Sequence, residues 1–207
     1  MIKIETYPLG VYQANCYLLI KEDQYVIIDP GSKPELIISR IPQQATVLAI
    51  LLTHGHFDHF AAAQTLAKHY DVDVYIHFED EEMLADPMKN YSDHRGITCD
   101  YRIRPFDFAY VRLGPFDINV FHTPGHSEGS VCFLIEDHLF CGDLLFKNSI
   151  GRTDLYRGSM SKIMNSLRFI CALDGDIRVY PGHGPKTNLA QEKAFNPYLT
   201  GMKRNHK

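Results

Sequence analysis

Apolar and polar positions along the chain fall into two alternating patterns. Ile2 to Tyr7, Asn15 to Lys21 and Gln24 to Asp29 are short runs of β-branched and aromatic residues, separated at Gly10 and at Glu22-Asp23, and they predict strands. Asp29-Pro30-Gly31 stops the third with turn chemistry. Ser32 and Pro34 then open a helix through Ile41, since proline is tolerated in a helix's first turn. The apolar stretch Ala45 to Leu52 suits a strand buried on both faces. Asp58 to His69 turns helical and is rich in Ala and Leu; Val72 to Ile76 predicts another strand, and Glu79 to Leu84 an acidic helical turn or two. Residues 86 to 105 mix polar, Gly and Pro residues with little periodicity and predict a long loop. Phe108 to Leu113, Asp117 to Thr123, Ser130 to Glu136 and His138 to Cys141 predict a strand series. Ser159 or Ser161 caps a helix to about Leu173, Ile177 to Tyr180 is a last strand and Leu189 to Phe195 a last helix. No Gly/Ser-rich linker or composition break divides the chain, so residues 1–207 are expected to form one domain of mixed α and β elements.

Composition narrows the class. With 207 residues, 45% hydrophobic and 12% aromatic, the chain can bury a sizeable core. A net charge of −4 gives no reason to expect nucleic acid or an anionic membrane as partner. The longest purely apolar run, Val47 to Leu52, is far short of the ~18 residues a membrane helix needs. The opening Met-Ile-Lys-Ile-Glu has no apolar segment of a secretory signal, so a cytoplasmic location is expected. Cys16, Cys99, Cys132, Cys141 and Cys171 are odd in number and lack CxxC spacing, which fits reduced, structural thiols.

The densest chemical signal follows the buried strand 45–52: Thr53-His54-Gly55-His56-Phe57-Asp58-His59. His54 and His56 are two apart, so in extended backbone both point to one side. Gly55 between them allows close backbone approach. Asp58 and His59 begin a helix and approach a metal from another direction. His126, Asp143 and His183 each follow an apolar strand and a glycine, in Pro124-Gly125-His126, Cys141-Gly142-Asp143 and Pro181-Gly182-His183. Strand ends converging on one sheet edge are where α/β proteins build sites. Imidazoles with an oxygen ligand suit zinc, and two histidines with a carboxylate suit zinc, iron or manganese. His69, His77, His94, His122, His138 and His206 fall outside this pattern and are expected at the surface or at helix ends.

The series His54-x-His56-x-Asp58-His59, His126, Asp143 and His183, with the Ile28-Asp29-Pro30-Gly31 turn and the Asn15-Cys16-Tyr17-Leu18 strand, resembles the metallo-β-lactamase superfamily, and within it the short bacterial glyoxalase II-type hydroxyacylglutathione hydrolases. The resemblance implies an α/β fold, a four-layer αββα sandwich with the site along one edge. It implies two divalent ions, zinc first with iron or manganese as alternatives: His54, His56 and His126 on one, Asp58, His59 and His183 on the other, and Asp143 bridging. A hydroxide shared by the ions, oriented by Asp58, would attack the carbonyl of a small-molecule thioester or thiol conjugate, and the thiolate would leave without a general acid. Arg152, and Tyr156 beside it, stand near the position where the family meets a glutathione carboxylate. An Arg152–Asp154 ion pair holding the loop is the competing expectation.

Few residues follow His183, too few for the C-terminal helical domain of longer relatives, so a thiol carrier other than glutathione is also expected. The loop 86–105, with Tyr91, Arg95, Tyr101, Arg102 and Arg104, is a candidate cover for the pocket. Lactamases in the superfamily use a cysteine where this chain has Asp143, which argues against β-lactam cleavage, and Cys141 belongs to the strand. The rival activity is a persulfide dioxygenase binding one iron through His54, His126 and Asp143.

Overall fold

The computed structural model describes residues 1–200. Strands β1 (Lys3–Leu9), β2 (Ala14–Lys21), β3 (Gln24–Ile28), β4 (Thr46–Leu51), β5 (Val74–His77) and β6 (Ile103–Phe106) form one six-stranded sheet in sequence order. β1 to β3 run as an antiparallel meander, and β3 to β6 are parallel. The second sheet takes β7 (Tyr110–Leu113), β8 (Phe116–His122), β9 (Val131–Ile135) and β10 (His138–Gly142). A two-strand ribbon, β11 (Leu145–Phe146) with β12 (Ser149–Ile150), precedes its last members, β13 (Arg178–Pro181) and β14 (Thr187–Asn188). The order is β14-β13-β10-β9-β8-β7, with β10 and β13 parallel.

Alternation along the strands decides the layering. Leu19, Val26, Ile28 and Leu51 of the first sheet meet Phe116, Ile118, Phe133 and Phe140 of the second in a shared core. The intervening residues Leu18, Ile27 and Ile50 point the other way, onto α1 (Pro34–Arg40) and α3 (Ala63–Tyr70) through Ile37, Leu66 and Ala67. On the far side Leu139, Cys141 and Val179 meet Ile163, Leu167 and Ile170 of α5 (Met160–Cys171) and Leu189 of α6 (Leu189–Phe195). The result is the four-layer αββα sandwich. Because both faces of each sheet are covered, the central strands are apolar along their length rather than alternately polar.

Several expectations need adjustment. The helix expected over 58–69 is split into α2 (Phe57–Phe60) and α3, because Ala62 donates its N–H to the Pro30 carbonyl at the turn between them. The stretch 86–105 is not wholly loop: its end supplies the edge strand β6, whose Arg104 reaches Asp73. The acidic turns are a 3₁₀ turn at Phe78–Asp80 followed by α4 (Glu81–Ala85), and α7 (Pro197–Thr200) closes the described chain. Ser159 is the cap of α5, accepting from the Lys162 N–H. Cys16, Cys99, Cys132 and Cys141 are buried in the core. No helix among the described residues is long and apolar enough to cross a membrane. His206 lies outside the described residues.

His77 and His138 are buried rather than at the surface. His77 stacks on His122 with centroids 4.2 Å apart, beneath Phe106. Burial, and then the neighbouring His122, pushes His77 down to about 4 from its ordinary 6.5. Its folded-state pKa is depressed, so the unfolded chain binds the proton more readily. Its contribution to stability is complete above about pH 6.5 and is lost as pH falls towards 4. Urea unfolding of His77→Phe against the parent should show a shallower loss of stability between pH 7 and 5; equal slopes would exclude a burden at His77.

Candidate metal centre

Five apolar strands, β3, β4, β8, β10 and β13, end on the same edge of the sandwich. The residues just beyond them are Asp29, the segment 53–59, His126, Asp143 and His183. Their ligand atoms gather in two neighbouring groups, His54, His56 and His126 in one and Asp58, His59 and His183 in the other, within 4.8 Å inside each group. Asp58 and His59 are adjacent on α2, yet their ligand atoms converge on His183: its Nε2 lies 3.4 Å from Asp58 Oδ2 and 3.3 Å from His59 Nε2. Asp143 faces both groups, with Oδ1 3.5 Å from His59 Nε2 and Oδ2 3.5 Å from His126 Nε2 and 3.6 Å from His183 Nε2. All seven residues expected as ligands are therefore brought together.

Four of the five cluster histidines have the outward ring nitrogen tied; His56 is turned the other way, with Nδ1 2.8 Å from His126 Nε2. His59 Nδ1 meets Asp29 Oδ2 at 2.9 Å, His126 Nδ1 meets the Arg152 carbonyl at 2.8 Å, and His183 Nδ1 meets the Tyr12 carbonyl at 2.9 Å. His54 Nδ1 lies 3.0 Å from Thr53 Oγ1, which itself donates to Asp29 Oδ2. Ties of this kind set the tautomer and aim Nε2 inward, as ligand imidazoles require. Asp29, which the sequence marked only as turn chemistry, thus orients His59 and anchors Thr53 through its backbone N–H at 2.8 Å. Its sequence signal was a carboxylate directly after an apolar strand, the placement shared by the ligands themselves.

Burial and neighbouring imidazoles hold His54 well below the ordinary histidine range, and burial then His126 do so for His56, so both rings are neutral with lone pairs to offer. Burial works against charge on His59, but the carboxylates of Asp58, Asp143 and Asp29 outweigh it and raise its pKa to about 10. Burial likewise works against charge on Asp58, and His59 and His183 outweigh it and keep this carboxyl below its ordinary range. Those carboxylates form a field that favours positive charge in the middle of the cluster. His54 Nε2 and Asp143 Oδ1, both facing into the cluster, are buried with no hydrogen-bond partner, where an unmet polar atom costs ~1–3 kcal/mol. Neutral imidazoles, converging carboxylates and orphaned inward atoms fit divalent cations.

The cluster floors a cleft of about 530 Å³, whose walls include Tyr12, Phe57, Tyr91, Asp93, Arg152 and Leu155. Tyr12 meets Phe57 edge-on at 5.7 Å, and the Arg95 guanidinium lies over the Phe57 ring, 5.3 Å from its centroid. The loop after residue 86 therefore contributes Tyr91 and Asp93 to the cleft, while Arg102 and Arg104 turn away to Asp71 and Asp73. Arg152 lines the cleft and is paired with Asp154 through two 2.7 Å hydrogen bonds, the ion pair expected to hold the loop. Tyr156 is not part of the cleft wall: its hydroxyl donates to Glu82 Oε1 at 2.9 Å and its N–H to the Tyr91 hydroxyl at 2.6 Å. Tyr12 was not anticipated, because nothing local marks a turn tyrosine that only tertiary packing brings beside His183.

Residues 9–183 match the family described as the metallo-beta-lactamase superfamily. A probable metallo-hydrolase, YqgX of Bacillus subtilis, is 38% identical over 205 residues, covering 94% of this chain and 96% of that protein. Hydroxyacylglutathione hydrolase GloC of Haemophilus influenzae is 33% identical over 208 residues, covering 96% and 98%. Among solved structures, the BLEG-1 B3 metallo-beta-lactamase superposes with a TM-score of 0.92 at 40% identity, covering 96% of this chain and 100% of that one. TTHA1623 in a di-iron-bound form gives 0.83 at 36%, covering 94% and 100%. With a family match that reaches from the end of β1 to His183, the chain belongs to the metallo-β-lactamase superfamily.

Proposed function

We propose that the protein is a metal-dependent hydrolase acting on thioesters, of the glyoxalase II type. The observation that carries this reading is the pair of donor groups joined by Asp143 on the floor of an open cleft, and the similarity to a hydroxyacylglutathione hydrolase over nearly the whole chain supports it. His54, His56 and His126 would hold one divalent cation and Asp58, His59 and His183 a second, with Asp143 reaching both. Such cations supply a water of lowered pKa and positive charge for the developing oxyanion.

The chain's own groups do the rest. Asp58 reaches the cleft and can orient the attacking water by accepting its hydrogen bond. Attack makes a C–O bond at the acyl carbon and breaks the C–S bond, and the carrier leaves as a thiolate that needs no general acid. No side-chain nucleophile is required: Cys141 faces the core, and burial holds its thiol well above the ordinary range. Tyr12, Phe57 and Leu155 offer an apolar wall to the substrate's body, and Arg152 offers a guanidinium at the rim for which a carrier carboxylate would compete with Asp154.

Zinc is the proposed metal, although the same donors accept iron or manganese and the di-iron form of a similar chain supports iron equally. β-Lactam hydrolysis is a second reading, favoured by the likeness to BLEG-1. Persulfide oxidation at one iron, which needs only His54, His126 and Asp143, is the alternative, and metal content separates the two: about two ions per chain for hydrolysis, one iron with oxygen uptake for oxidation.

Purified protein should release free thiol from S-D-lactoylglutathione, and Asp143→Asn should lower the rate by about 10³-fold while leaving the circular dichroism unchanged. Faster cleavage of a chromogenic cephalosporin, or oxygen uptake with a glutathione persulfide in place of thiol release, would transfer the assignment to the corresponding reading. Exhaustive chelation should abolish thiol release and added zinc, manganese or ferrous ion should restore it; activity surviving chelation would exclude the metal scheme. Arg152→Met should raise KM for the glutathione thioester ~3–5-fold with kcat nearly unchanged, a modest effect because the group is exposed and already paired.

A further inference from the structure

Asp80 stands outside every motif described above, yet it is among the most deeply buried charged residues, 1% exposed. It follows β5 at the end of the 3₁₀ turn Phe78–Asp80. Its carboxylate collects three donors from the two segments that carry the first donor group. Oδ2 accepts the Gly55 N–H at 2.9 Å, from between His54 and His56, and the Ser127 hydroxyl at 2.5 Å, from directly after His126. Oδ1 accepts the Gly129 N–H at 2.6 Å.

The glycines are a separate indication that this contact is built in. A Cβ on Gly129 would lie 2.6 Å from Asp80 N and 2.7 Å from its Cγ, and one on Gly55 would lie 3.0 Å from the Asp80 carbonyl and 2.7 Å from Met83 Cβ. Both ligand segments therefore lack a side chain where they pass Asp80, so the backbones come close enough to donate. The second group has different supports: Asp29 for His59 and the Tyr12 carbonyl for His183. The hydrogen bonds of the Asp80 carboxylate go to Gly55, Ser127 and Gly129 and to neither of these.

We propose that Asp80 is a positioning residue that sets the mutual placement of His54, His56 and His126, and hence the metal affinity of the first donor group alone. Residues that hold ligands in this way typically account for 10–100-fold in affinity. The proposal rests on the metal-binding reading of the site and is independent of the thioester, so a failure to cleave thioesters would leave it standing.

The test isolates each donor group and reads metal binding rather than turnover. In a His183→Ala background only the first group is complete, and in a His126→Ala background only the second. Zinc affinity is measured in each by competition with a chromophoric chelator, and the visible bands of the Co(II)-loaded protein report ligand geometry. Adding Asp80→Asn should weaken zinc binding about 10–100-fold and alter the cobalt bands in the first background, and leave both readings within twofold in the second. Ser127→Ala removes one of the three donors and should act in the same direction with a loss of several-fold; it decides by the same criterion if Asp80→Asn does not fold. Equal losses in the two backgrounds would reduce Asp80 to a general support of the fold, and no loss in either would remove its role; both overturn the proposal.

Discussion

The site depends on the covering of both faces of both sheets. A central strand such as β4 or β10 has no solvent-facing side along its length, so polar groups can be accommodated only where it stops. Five such strands stop at one edge, and the residues immediately beyond them are carboxylates and imidazoles. Packing of the two sheets against each other then brings the ends of β3 and β4 beside those of β8, β10 and β13. The same apolar contacts that stabilise the sandwich fix the separation of the ligand segments.

Within that edge, charge and hydrogen bonding act in opposite directions. The outer nitrogens of His54, His59, His126 and His183 are satisfied by Thr53, Asp29 or a main-chain carbonyl, whereas inner atoms such as His54 Nε2 and Asp143 Oδ1 are left without a partner. A cluster assembled this way is incomplete as packing and complete as a cation cage. The carbonyls that tie His126 and His183 belong to Arg152 and Tyr12, whose side chains line the cleft. The cleft wall and the supports that aim these two imidazoles are thus parts of the same residues.

The scaffold alone does not choose a substrate. Chains similar to this one are named as a hydroxyacylglutathione hydrolase, a B3 metallo-beta-lactamase and a di-iron protein. What distinguishes uses of such a centre is the cleft: here an aromatic wall of Tyr12, Phe57 and Tyr91, and a rim cation engaged by its neighbour Asp154. A carboxylate-bearing carrier meets that cation only in competition with an internal carboxylate.

The ligand set was legible in the sequence because its chemistry is local: His54, His56, Asp58 and His59 lie within six residues, and His126, Asp143 and His183 each follow a glycine after an apolar strand. The positions of most core strands along the chain were legible for the same reason, since alternation and turn residues act over a few positions, whereas their order in the two sheets was not. Asp80, Asp29 in its orienting role and Tyr12 were not, because their partners lie at Gly129, His59 and His183, and no spacing along the chain encodes such a meeting. The edge strand β6 was missed within a polar stretch because its pairing with β5, not its own pattern, makes it a strand. Local chemistry and periodicity determined which residues could hold metal and which segments could be strands. Only the tertiary structure decided which carbonyls, carboxylates and rings would surround them, because those contacts arise from packing between segments distant in the chain.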